Sequence, residues 1–274
     1  MDFIHGQRWY EICDCVIDNG VDAHTKNVFD ICEGLENIYI KSCIIFSKCD
    51  YFGYIFPKIQ ESKYNHVLIS NNSDNPITED VYNSKPSNIK WWFAQNVACS
   101  HDDLIPIPIG LERPLGGGIS ADYASITHNM NIEKNKLLYM NHNDSNNFNV
   151  RHRITEHFKA QSWCTHESSV SFQEYLNHMS QHKFVLSPYG NGIDCHRTWE
   201  ALYLGVIPIV NSSIIADVVN EYLPIIIIDD MTTITEEYLN TAYSNIINKL
   251  YNFDILKFEW WKTQIINKFE SMVM

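Results

Sequence analysis

The chain has 274 residues, 45% of them hydrophobic and 13% aromatic, which is enough apolar material for one large or two small packed domains and excludes a disordered chain. Its formal charge of -13 argues against nucleic acid or an anionic membrane as the main partner, because both call for an excess of Lys and Arg on one face. The opening MDFIHGQRWYEICDC has no secretory pattern, and no run approaches the roughly 20 apolar residues of a membrane span. A cytoplasmic protein without a transmembrane segment is expected. The eight cysteines are scattered, with no CxxC and no paired His or Cys at zinc-finger spacing, so reduced thiols and no structural metal are expected.

In chain order, short runs rich in Ile, Val, Tyr and Phe predict strands at 38–46, 66–70, 104–110, 136–141, 183–188, 206–210 and 225–229. Such nearly continuous apolar runs suit parallel strands buried on both faces. Helical spacing marks 150–161, 171–182 and 196–205, the last ending in a glycine cap at Gly205. The alternation predicts an α/β protein with parallel sheets. Between Leu115 and Glu133 the pattern weakens around three consecutive glycines, which reads as a loop or interdomain connection. Three segments follow: a first domain over 1–133, a second over 134–234, and a tail of helices over 235–274 that packs back on the first domain. No internal repeat occurs.

The densest chemistry lies in Ser187–Val210, SPYGNGIDCHRTWEALYLGVIPIV. A strand, a Gly-rich turn and a helix starting near His196 would present unpaired backbone N–H groups and the positive helix end to a phosphate. Arg197 in the first turn adds a charged donor. Glu200, one turn on and on the same side, could accept two ribose hydroxyls. The alternative is a plain tight turn followed by an Arg197–Glu200 surface ion pair. The segment has neither a GxGxxG fingerprint nor a GK[ST] phosphate loop, and the opening of the chain lacks the glycine fingerprint of a dehydrogenase or epimerase.

The stretch FVLSPYGNGIDCHRTWEALYLGVIPIV resembles the exostosin-like glycosyltransferases, family 47, in which a strand ending in Ser-Pro leads through a Gly loop to Arg, Glu, Ala, Gly and Ile-Pro. Ser187, Pro188, Gly190, Arg197, Glu200, Ala201, Gly205, Ile207 and Pro208 fall in register. The resemblance implies a GT-B architecture, two Rossmann-like domains facing a cleft, with the second domain holding a nucleotide sugar and Glu200 holding its ribose. LLYMNHNDSNNFNVRHRI (137–154) resembles the first strand and helix of that domain, with Asn141 and Arg151 matching by spacing and Arg151 implied as a diphosphate contact. Asn191, Gly192, Asp194 and His196 complete the donor loop, Asp194 as a helix cap or sugar contact. Trp199 and the pairs at 91–92 and 260–261 read as core.

VLISNNSDNPI (67–77) and WWFAQNVACSHDDLIPIPIGLE (91–112) are similar to the acceptor-side half of short members of the family. The resemblance implies an inverting enzyme whose base takes the acceptor proton from the side opposite the leaving diphosphate. Asp74 is the first candidate, because it follows a predicted strand and open α/β sheets bind ligands beyond the carboxyl ends of their strands. Glu112 and His101 follow, then Asp50. No spaced DxD pair is present, so no metal is expected at the site and helix N–H groups with arginines would carry the leaving diphosphate. UDP-sugar is the implied co-substrate and an oligosaccharide the acceptor, as in short bacterial or viral surface-glycan enzymes. A noncatalytic nucleotide- or carbohydrate-binding module is the alternative function.

Overall fold

A computed structural model describes residues 2–21, 28–112 and 126–274. The chain divides into a first unit, Asp2–Ile119 with Lys257–Met274, and a second unit, Ser120–Leu256. Each is built on its own sheet, as the predicted α/β class requires.

In the first unit the strands are β1 (Cys15–Val21), β2 (Val28–Glu33), β3 (Ile44–Ser47), β4 (His66–Ser70), β5 (Ile89–Ala94) and β6 (Leu104–Pro106). Their order is β2-β1-β3-β4-β5-β6, parallel throughout except for the β1–β2 pair. Every residue of β3 and β4 is buried, as strands covered on both faces must be. Helices α1 (Phe52–Glu61) and α2 (Glu79–Asn83) follow β3 and β4. Phe52 and Phe56 of α1 meet the buried Trp92 of β5 edge-on, with ring centroids 5.3 and 6.0 Å apart.

The second unit carries β7 (Lys136–Met140), β8 (Cys164–His166), β9 (His182–Ser187), β10 (Ile207–Val210) and β11 (Ile226–Ile227). This sheet is wholly parallel in the order β11-β10-β9-β7-β8. Helices α3 (Phe148–Phe158), α4 (Phe172–Ser180), α5 (His196–Tyr203), α6 (Ile214–Asn220) and α7 (Glu236–Ile246) accompany it. A Ser171–Glu174 capping box starts α4. Helix α5 ends in a Schellman motif: Gly205 takes a φ of +66°, its N–H donates to Leu202 O at 3.1 Å, and Val206 N–H donates to Ala201 O at 2.8 Å. The predicted glycine cap is therefore present.

The tail does not return whole to the first half. Leu239, Ala242, Tyr243 and Ile246 of α7 pack on the second unit's core with Phe184 and Leu138. Only α8 (Phe258–Val273) joins the first unit, where Phe258 meets Trp9 at 5.0 Å and the first turn is clipped to Asp2 through Phe258 N–H to Asp2 O (3.1 Å) and Glu259 N–H to Asp2 Oδ2 (2.9 Å). The division between units falls at Ile119/Ser120 rather than at 133. Of the stretch read as a connection between Leu115 and Glu133, residues 115–125 lie outside the described residues, and 126–129 are helical.

Candidate functional site

In the second sheet the chain steps from β7 to β8 on one side and then to β9, β10 and β11 on the other. Loops leaving β7 and β9 therefore part company, and the carboxyl ends of these two strands form the topological switch point at which open α/β sheets bind ligands. Asn141, His142 and Asn143 leave β7 there, and Pro188 to Cys195 leave β9.

Arg151 joins the two loops. The side chain projects from α3, is 4% exposed, and donates from Nε to Tyr189 O (2.8 Å), from Nη2 to Pro188 O (3.2 Å) and from Nη1 to Asn143 O (3.1 Å). Its donors are directed to backbone carbonyls, and burial pulls its pKa down. Gly190 is where the guanidinium comes closest: a Cβ at that position would stand 2.7 Å from Arg151 Nη2. Asn147 Nδ2 donates to Gly190 O at 3.3 Å, and Gly190 N–H closes a tight turn on Gly192 O at 3.2 Å. Asn191, at the tip, is exposed.

The start of α5 is held from behind. Ser187 Oγ meets Thr198 Oγ1 at 2.9 Å, tying the end of β9 to the helix. Asp194 accepts the Trp199 indole N–H (3.0 and 2.9 Å to its two oxygens) and Cys195 N–H (2.9 Å). The N-cap residue is Cys195, with no capping bond from its side chain. Asp194 thus fixes the loop to the fully buried Trp199, which is core as the sequence indicated. His196, half-buried, opens the helix.

Glu200 is buried, 5% exposed, and its Oε2 accepts the Tyr175 hydroxyl at 2.7 Å. The surface ion pair expected under the plain-turn reading does not describe this carboxylate. Tyr139 stands beside Tyr175, ring centroids 6.1 Å apart, and donates to Glu167 Oε2 at 2.9 Å; Asn141 Nδ2 reaches the Tyr139 hydroxyl at 3.3 Å. His178 closes the chain on Glu167 at 2.5 Å. Arg197 faces this group: burial raises the pKa values of Tyr139 and Tyr175 and the Arg197 charge opposes that rise, while its own buried Nε has no hydrogen-bond partner among the described residues. The buried His142 imidazole is pushed down to about 4, first by burial and then by Arg197 and Arg151, so it is neutral near pH 7. Its Nε2 meets Thr155 Oγ1 at 3.1 Å, and its Nδ1 is likewise unpartnered. A buried polar atom without a partner is costly, and two such atoms lie at this switch point.

The sequence-derived donor residues Asn141, Arg151, Ser187, Pro188, Gly190, Asn191, Gly192, Asp194, His196, Arg197 and Glu200 are therefore brought to one edge of one sheet. Tyr139, Tyr175 and His142 join them and were missed. His142 stands next to Asn141 and its polarity was a usable signal; Tyr175 reaches Glu200 across 25 positions, which no local pattern reveals.

The proposed bases stand in the first unit. Asp74 is exposed in the loop after β4. His101 is fixed by Glu79 at 3.1 Å and by stacking on Tyr82 at 3.6 Å, and Glu112 is exposed beyond Leu111. Asp50 lies in the 3-10 turn after β3, 3.7 Å from Lys48. Ligand atoms of Glu79, Cys99 and His101, all in the first unit, lie within 4.8 Å of one another, a trio that could ligate a borderline cation.

A family model described as RXYLT1 C-terminal domain matches residues 127–226, a span that includes the residues from Asn141 to Glu200 singled out in the sequence. No curated protein matches the chain. Among solved structures it is similar to the UDP-GlcNAc 2-epimerase from Methanocaldococcus jannaschii, at 11% identity over 76% of this chain and 71% of that one, with a TM-score of 0.34.

Proposed function

We propose that the chain is an inverting glycosyltransferase that moves a sugar from a UDP-sugar to a glycan hydroxyl. The observation that carries this reading is the arrangement at α5: an arginine with an unpartnered buried Nε in the first turn of a helix that has no side-chain cap, one turn from a buried, tyrosine-held carboxylate. The match of 127–226 to the RXYLT1 C-terminal domain supports a glycosyltransferase of the exostosin-like kind, with xylose the first sugar to test. Glu200, aimed by Tyr175, accepts the ribose hydroxyls. Arg197 and the first N–H groups of α5 take the diphosphate, and their charge stabilises it as it leaves, so the reaction proceeds without a metal at this site. Arg151 acts at one remove, by holding the two loops in place.

In the displacement the acceptor oxygen bonds to the sugar C1 as the C1–O bond to the diphosphate breaks, and the acceptor proton passes to a carboxylate of the first unit. Asp74 is the proposed base. Incubation with a panel of UDP- and GDP-sugars tests the reading through nucleotide release that depends on acceptor. Glu200→Ala and Arg197→Ala each abolish nucleotide binding by calorimetry, whereas Asp74→Asn keeps binding and loses turnover. Nucleotide binding without turnover in the wild type would favour a noncatalytic module. Turnover unaffected by Asp74→Asn would remove Asp74 as base.

A further inference from the structure

The first unit holds a second polar assembly, which the donor reading does not use. Asp18, on β1, is 1% exposed and lies against a cavity of about 370 Å³ lined also by Ile17, Ile31, Cys32, Tyr51 and Tyr54. That volume falls in the range of about 300–1,000 Å³ common to small-ligand pockets. The carboxylate is held rigidly: it accepts the Tyr10 hydroxyl, Asn72 Nδ2 at 2.9 Å and Asn19 N–H at 2.7 Å. Asn72 adopts the left-handed region, φ 66°, directly after β4, and its N–H donates to Gln95 Oε1 at 3.0 Å. Gln95 is 2% exposed, and its amide Nε2 has no partner among the described residues. Non-glycine residues take positive φ at a cost and do so where surroundings over-determine them, frequently at binding sites.

We infer that this cavity is a saccharide-binding subsite, in which Asp18 accepts hydroxyl hydrogen bonds from a pyranose and the rings of Tyr51 and Tyr54 lie against its apolar face. An ionised carboxylate is an acceptor-only group suited to paired hydroxyls. An aromatic ring offers a flat apolar surface matching the C–H face of a sugar, and Tyr54, 46% exposed, already presents such a surface to solvent at the cavity rim. Mostly apolar walls with one fixed polar group are the usual composition of a small-molecule site. The identification of the occupant as an acceptor sugar rests on the glycosyltransferase reading; the pocket chemistry does not.

The test uses the full chain without nucleotide and the methyl β-glycosides of xylose, galactose and glucose as probes, by saturation-transfer NMR and titration. At least one glycoside is expected to receive saturation on its ring protons. Asp18→Asn should weaken it by about tenfold or more, the loss of one charge-assisted hydrogen bond. Tyr54→Ala, at an exposed position on α1, should weaken it by at least a few fold through lost ring contact. UDP affinity, measured separately, should stay at the wild-type value in both variants. Absence of binding by all three glycosides, or wild-type affinity in a folded Asp18→Asn, overturns the inference. If Asp18→Asn does not fold, Tyr54→Ala decides: wild-type affinity there overturns it. Glycoside binding in a protein that neither binds UDP nor transfers sugar would leave the pocket standing and remove the transferase reading.

Discussion

Arg151 makes hydrogen bonds that its place in the sequence does not reveal. Spacing after the strand at 136–141 placed it beside the donor loop, which it is, but its targets are carbonyls of Asn143, Pro188 and Tyr189, the latter two 37 and 38 positions away. Local pattern carries no information about such distant acceptors. Removal of the guanidinium leaves buried carbonyls unsatisfied, so Arg151→Ala is expected to lower stability by on the order of 3 kcal/mol, read from the denaturant midpoint at constant slope. Arg151→Lys should not restore it, because a point charge cannot reach three carbonyls at once. Gly190→Ala drives a Cβ against the same group and should reproduce part of the loss together with weaker nucleotide binding. The placement of Glu200 one turn after Arg197 on α5, by contrast, was legible, since a helix turn fixes that relation without reference to the rest of the chain.

Strands buried on both faces were the most legible elements. The run HVLIS matches β4 residue for residue, and the strands predicted at 136–141, 183–188 and 206–210 are displaced by no more than a residue at each end. The β1–β2 pair was missed: Asn19-Gly20, a turn signal in isolation, sits inside β1. Helix α1 was missed because Gly53 and Pro57 break the usual composition, while the stacking of Phe52 on Phe56 and their contact with Trp92 override it. Two strands start on a buried neutral imidazole. His66 accepts Cys43 N–H at 3.2 Å and meets Ser62 Oγ at 2.9 Å; His182 meets His178 O at 2.7 Å and Thr165 Oγ1 at 2.8 Å. Burial lowers both pKa values from 6.5 to about 4. The unfolded chain therefore takes up these protons first as pH falls, and the stability the neutral rings contribute is complete above pH 6.5 and is lost on the way down to about 4. The melting temperature should fall through that interval, before the depressed carboxylates Asp103 and Asp144 titrate. A flat melting curve across it would contradict the assignment of these rings as neutral and buried.

For the whole molecule, the sequence carried the α/β class and the presence of two sheets, because each sheet is a series of local apolar runs. It did not carry the fate of the tail, which depends on which sheet offers the complementary surface. Tyr243 of α7 finds Phe184 at 5.9 Å in the second unit, whereas Phe258 of α8 finds Trp9 in the first. Among the described residues no helix is long and apolar enough to cross a membrane. Truncation after Leu256 is expected to unfold the first unit while residues 120–256 keep nucleotide binding, as read by hydrogen exchange on each unit and calorimetry with UDP. Loss of nucleotide binding along with the first unit would mean that the second does not fold alone.

The clip between Asp2 and the first turn of α8 also sets an order of assembly. On the ribosome, domains generally fold as units with the N-terminal one first. Here the earlier-made unit lacks the helix that covers Trp9 until residues 257–274 emerge, after the whole of Ser120–Leu256 has been made. The half synthesised first is completed last, so a nascent chain waits with an open core, and a chaperone that holds such surfaces should bind it until α8 docks.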